Sequence, residues 1–113
     1  MALFALAFLY SFRQFIRLMT ITPATRIQLV PNQSSSVLGN ETILLNYEIG
    51  NYYELNEVGG FIWALLQERK EVSVQEIQDE LLDEFDVDPV VCQAELTQFL
   101  ESLLHEKLIE LTE

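Results

Sequence analysis

NYYELNEVGGFIWALL, residues 51–66, reads as a short strand that runs straight into a helix. Tyr52, Tyr53 and Leu55 are aromatic or apolar residues of the kind strands favour. Asn56 stands where a helix N-cap belongs, and Glu57 follows in the first turn, where a carboxylate suits the positive end of the helix dipole. Val58, Phe61, Ile62, Leu65 and Leu66 then recur at helical spacing, with Trp63 beside them. Gly59 and Gly60 lower helix propensity just where the helix begins. Two adjacent glycines there predict the close approach of another backbone. A dense apolar helix behind a strand that can end at a sheet edge gives a small domain one core and one open binding edge.

Working outward, the chain has 113 residues, enough for one domain with one modest core. Half of it is apolar, which argues against disorder, and its formal net charge is −12. Between Lys70 and Lys107 lie 36 residues with 11 acids and no Lys or Arg. That stretch is unsuited to nucleic acid or to anionic membrane surfaces. The single cysteine, Cys92, excludes an intrachain disulfide framework and fits a reducing, cytoplasmic compartment. One His and one Cys do not build a conventional zinc site without carboxylates or a second chain. No metal and no cofactor are expected.

Residues 1–18, MALFALAFLYSFRQFIRL, differ from everything after them. Ala2–Tyr10 is wholly apolar, and Arg13 and Arg17 follow it, the reverse of a signal peptide's order. The run is also shorter than the ~20 apolar residues of a spanning helix. Three readings stand: an upstream extension with Met19 as the biological start, an amphipathic membrane or partner anchor, or a helix packed on the domain. The first is preferred, because MTITPATRIQLV leads directly into a strand. The domain proper is then residues 19–113.

Arg26–Val30 is predicted as that strand, between Pro23 and Pro31. Asn32–Ser36 reads as a polar loop or bulge, after which Val37–Leu38 resumes the strand. Gly39-Asn40 signals a hairpin turn, Glu41–Tyr47 the next strand, and Asn51–Leu55 the third. Helices follow over roughly Glu57–Glu68, from the Ser73/Glu76 capping box, and from Asp88-Pro89. Leu108–Leu111 reads as a short extended tail. The fold class predicted is α+β and winged-helix-like: a three-stranded antiparallel sheet followed by three helices.

Tyr-Tyr-x-Leu-Asn, then Gly59, Ile62-Trp63 and Leu65-Leu66, resembles the PqqD-like family. So do Glu84-Phe85-Asp86-Val87 and the ending Phe99-Leu100-x-x-Leu103 to Leu108-Ile109. Proteins of this family act as RiPP recognition elements, which bind the leader segment of a ribosomally made precursor peptide and present it to a modifying enzyme. The resemblance spans about Arg26 to Leu111. Members of the founding branch, which serves pyrroloquinoline quinone biosynthesis, usually carry Gly-Trp near the end, where this chain has Lys107-Leu108. The pattern here looks more like the stand-alone recognition proteins of lasso-peptide clusters. Lys107 in place of a family glycine predicts an altered turn after the third helix.

The resemblance implies that a leader peptide adds a strand to the edge of Asn51–Leu55, with pockets between that strand and the third helix. Tyr52, Tyr53 and Leu55 from the strand, and Val91, Cys92, Glu95 and Phe99 from the helix, are the expected peptide-binding residues. Alternation puts Tyr53 and Leu55 on one face and Tyr52 and Glu54 on the other, and leaves open which face meets the helices. Each choice has a plainer reading. Leu55, Trp63, Leu96, Leu100 and Leu103 suit a core, and Phe99 suits a core or a groove floor. Cys92 suits a small buried position, and Glu95 a solvated face or a contact with a basic leader residue. His105 suits a helix C-terminus. The acids from Asp79 to Asp88 suit a solvated face or the steering of a basic partner.

The expected function is therefore non-catalytic leader binding. The expected partners are the precursor peptide and a modifying enzyme, either a leader peptidase of the lasso type or a radical SAM enzyme. The alternatives are a peptide chaperone in pyrroloquinoline quinone biosynthesis and a winged-helix transcription regulator. The base-free second and third helices oppose the last of these, because a recognition helix needs cations for phosphates. An enzyme would have to rest on Cys92, His105 and scattered acids, whose spacing builds no site.

Overall fold

The computed structural model describes residues 21–31, 33–46 and 50–112. The expectations for residues 1–18, for a start at Met19 and for the turn through residues 47–49 lie outside the described residues.

The elements in chain order are β1 (Arg26–Leu29), β2 (Gln33–Leu38), β3 (Glu41–Asn46), β4 (Asn51–Leu55), α1 (Glu57–Arg69), β5 (Glu71–Ser73), α2 (Val74–Glu84), α3 (Pro89–His105) and β6 (Ile109–Leu111). The fold is α+β, but the strands form two small antiparallel sheets, ordered β2-β3-β4 and β5-β1-β6. The expected single sheet placed before all the helices is thus corrected. β5 falls between α1 and α2, and β6 follows α3. The first expected strand is in fact two. Pro31 has no N–H to continue a ladder, and the chain turns there from one sheet into the other. The Gln33 side chain pins this corner by donating to the carbonyls of Val30 (2.5 Å) and Leu108 (2.8 Å). Of the expected loop or bulge over Asn32–Ser36, Gln33–Ser36 lie in β2.

The hairpin at Gly39-Asn40 sets the register of the second sheet. Gly39 takes φ +63°, the first central position of a type II′ turn. Leu38 and Glu41 flank this two-residue turn and face each other, and such a flanking pair exchanges both ladder hydrogen bonds. By alternation Glu41, Ile43 and Leu45 bond toward β2, and Thr42, Leu44 and Asn46 bond toward β4. Their partners on β4 are Leu55, Tyr53 and Asn51. The N–H and C=O groups of Tyr52 and Glu54 therefore point away from β3. Among the described residues no strand pairs with that outer side of β4.

α1 starts where the sequence predicts. The Asn56 side chain accepts from the Gly59 N–H at 2.9 Å. The glycine pair does admit close neighbours, but these are side chains and not backbone. A Cβ at Gly60 would lie 2.6 Å from Thr42 Oγ1, and one at Gly59 would lie 3.3 Å from the Phe99 ring tip and 3.4 Å from Leu55 Cβ. α2 carries the complete Ser73/Glu76 capping box, and the Asp88 side chain caps α3 at the N–H groups of Val90 and Val91. One core joins the layers: Ile27, Leu44 and Leu55 from the sheets, Ile62, Trp63 and Leu66 from α1, Ile77 and Leu81 from α2, and Leu96, Phe99, Leu100 and Leu103 from α3.

α3 ends in a Schellman motif. The Leu108 N–H reaches the Leu103 carbonyl (2.9 Å) and the Lys107 N–H the Leu104 carbonyl (3.0 Å). Lys107 sits at φ +63°. The altered turn expected from the missing glycine is not found, because the lysine adopts the left-handed conformation that glycine favours.

Candidate functional site: the open edge of β4 beside α3

Alternation along β4 is resolved by burial. Tyr53 and Leu55 point into the core, and Tyr52 and Glu54 point outward. Tyr53 is a polar residue that can be buried because its hydroxyl has partners. It donates to Glu106 Oε1 at 2.9 Å, beyond the end of α3, and accepts from Asn51 Nδ2 at 3.3 Å. Burial, more than these neighbours, pushes the Tyr53 hydroxyl above its ordinary pKa. At the other end of the strand Leu55 and the Phe99 ring both pack close to Gly59. The chain from Phe99 in α3 to its C-cap Glu106 therefore lies on the inner side of β4.

Val91, Glu95, Ser102 and Glu106 recur at intervals of four, seven and four residues, so they share one flank of the helix. Glu106 turns that flank toward β4 through its bond to Tyr53. The edge of β4 and this flank are the candidate site.

The seven residues expected to bind peptide divide into two groups. Tyr52 is 73% exposed, Val91 is 44% exposed and Glu95 is half-buried, so these three present surface at the site. Tyr53, Leu55, Cys92 and Phe99 are buried, and they hold strand and helix together beneath it. The Cys92 thiol is pushed up by burial first and by the Glu95 charge second, which keeps it protonated and unreactive.

Three residues that matter here were missed from sequence. Glu106 reaches the strand only through the tertiary fold. Glu54 and Glu41 lie diagonally on the outer face of the sheet, on β4 and β3. A hydrogen bond that the protonated Glu41 carboxyl donates to Glu54, and then the Glu54 charge, push Glu41 up. Pairing Glu41–Asn46 with Asn51–Leu55 in register on the sequence would have exposed this pair.

Among the described residues no group of three or more His, Cys, Asp or Glu is placed to hold a metal ion. No helix among them is long and apolar enough to cross a membrane.

The family model described as Coenzyme PQQ synthesis protein D (PqqD) matches residues 41–109, from β3 into β6. No curated protein sequence matches the chain. Among solved structures, TbiB1 in complex with the TbiA(beta) leader peptide is similar, at 31% identity over 74% of this chain and 94% of that chain, with a TM-score of 0.67. A lasso peptide synthetase B1 complexed with the leader peptide shares the fold at 20% identity, over 74% of this chain and 96% of that chain, with a TM-score of 0.64. With a family model covering more than half of the chain and a 31% identical relative aligned over nearly its whole length, this protein belongs to the PqqD family.

Proposed function

We propose that this protein binds the leader segment of a ribosomally made precursor peptide, of the lasso type, by adding it as a fourth strand to the outer edge of β4. The carrying observation is that, among the described residues, no strand pairs with the outer edge of β4, where the N–H and C=O groups of Tyr52 and Glu54 are directed outward. Main-chain hydrogen bonds supply affinity in this mode, and side-chain pockets supply specificity. An uncovered strand edge is otherwise an aggregation hazard that proteins avoid. The two structural neighbours, each solved with a leader peptide, support the reading.

Tyr52, Val91 and Glu95 contact the peptide directly. Tyr53, Leu55, Cys92 and Phe99 form the floor that keeps β4 and α3 at a constant separation. The role is non-catalytic, since the only thiol is buried and kept protonated. A modifying enzyme, either a leader peptidase or a radical SAM enzyme, receives the bound precursor. The domain acts in the cytoplasm, where such precursors are made.

Amide hydrogen exchange with and without a synthetic leader of the precursor encoded beside this gene tests the proposal. Protection is expected in Asn51–Leu55 and along the Val91–Leu103 stretch of α3. Unchanged exchange at saturating peptide overturns it.

A further inference from the structure

The outer face of the sheet carries two side-chain rows that end at the open edge. One runs Ser34–Leu45–Tyr52 and the other Ser36–Ile43–Glu54. The first is apolar at its β4 end, where Leu45 is 37% and Tyr52 73% exposed. The second ends in an acid, with Glu41 next to it on the diagonal. Among the described residues the ion pairs are Arg26–Glu71 and Arg69–Glu80, and neither Glu41 nor Glu54 takes part in one. The two groups lie close enough for a hydrogen bond between them, and then the Glu54 charge, to push Glu41 up. An apolar surface and a negative one thus lie side by side, at the spacing of alternate residues in a strand.

We infer that this face selects its leader: the bound strand presents an apolar or aromatic side chain over Tyr52 and Leu45, and a Lys or Arg, two positions away, beside Glu54 and Glu41. The inference rests on strand addition at β4 and names which strand is taken. Side chains of an added strand alternate between faces. Those sharing the outer face with Tyr52 and Glu54 are therefore residues i and i+2 of the leader, whichever way it runs. Directly opposed side chains lie about 4.5–5.5 Å apart at Cβ, within reach for both contacts. A cation there offsets the negative charge of the two glutamates, so binding favours a basic residue over an uncharged one, and an uncharged one over an acid, at that position.

The test is titration calorimetry with the synthetic leader encoded beside this gene, and with the same leader carrying Glu in place of its outward Lys or Arg. Each peptide is titrated into wild type, Glu54→Gln and Glu54→Lys at low and at high salt, and Asn51–Leu55 exchange is followed on the same samples. Glu54 is exposed, so its replacement spares the fold. An exposed ion pair predicts a loss of about two- to fivefold for Glu54→Gln at low salt, vanishing at high salt. Glu54→Lys loses more with the natural leader, and binds the Glu-bearing leader better than wild type does. Glu41→Gln shows the same sign with a smaller loss. If Asn51–Leu55 is protected but Glu54→Lys binds both leaders as wild type does, the inference fails and strand addition stands. If that stretch gains no protection, both fail.

Discussion

Proline placed at single positions along β4 separates strand addition from every other way of docking a peptide. At Glu54 the N–H points outward and serves no ladder bond to β3, so Glu54→Pro keeps the sheet and deletes one donor from the edge. The preceding residue, Tyr53, is already extended in a strand, as a residue before proline must be. The edge offers four main-chain groups, two from Tyr52 and two from Glu54, and one is lost. A net hydrogen bond is worth about 0.5–1.5 kcal/mol, and leaving its partner unpaired adds to the loss. At a rim where water can reach the orphaned leader carbonyl, about 1.4 kcal/mol is expected, which is about tenfold in Kd. Because the substitution also removes a carboxylate, the reference is Glu54→Ala. Titration calorimetry with the leader measures the ratio, and far-UV circular dichroism checks the fold. Tyr53→Pro is the opposite control. Its N–H faces Leu44 inside the sheet and its side chain is core, so that variant loses the fold and not just the ligand. A folded Glu54→Pro protein that binds as tightly as Glu54→Ala would refute the edge as the binding element.

Gly60→Ala should destabilise the protein by about 1–2 kcal/mol, because crowding against Thr42 Oγ1 at 2.6 Å outweighs the gain in helix propensity. In a Thr42→Ala background the same change should stabilise by up to about 1 kcal/mol, and urea unfolding that shows stabilisation in both backgrounds would contradict this. Lys107→Gly should raise stability by about 0.5–1 kcal/mol by removing a left-handed lysine at φ +63°, and an unchanged urea midpoint would show that the turn stores no strain. Glu101 is 7% exposed, and burial pushes its carboxyl above 4.5. The folded protein then holds a proton that the unfolded chain has lost, so this group's contribution to stability falls as pH rises from about 4.5 through its folded pKa. Glu101→Gln should therefore melt higher than wild type at pH 7 and alike at about pH 4, and a gap independent of pH would count against the assignment.

The features legible in the sequence are those written in a few consecutive residues. Gly39-Asn40 marks its hairpin, Ser73 with Glu76 its capping box, Asp88-Pro89 its helix start, and Asn56 the junction of β4 with α1. β5 was not legible, because three residues with one buried valine, Val72, carry no period. It becomes a strand by pairing with β1 from a distant part of the chain. Alternation gave the two faces of β4 correctly but not which one is inside. That is decided by Glu106, which accepts the Tyr53 hydroxyl and lets a tyrosine be buried. The same limit applies to the expected binding residues. Cys92 and Phe99 lie on the helix with the right spacing, but only the packed partner shows that they face the core and that Val91 and Glu95 flank it.

The division into two sheets also orders their assembly. β2, β3 and β4 follow one another with few residues between them and can zip up as soon as they are made, since closing a short loop costs little entropy. β1 precedes them in the chain, yet its partners are Glu71–Ser73 and Ile109–Leu111. On the ribosome it must wait, unpaired on one side until β5 emerges and on the other until β6 does. The outer edge of β4 therefore forms early from local contacts, while the sheet that clasps the domain shut forms last. Any lesion in β6 would then leave a nascent chain with a finished edge on an unfinished body.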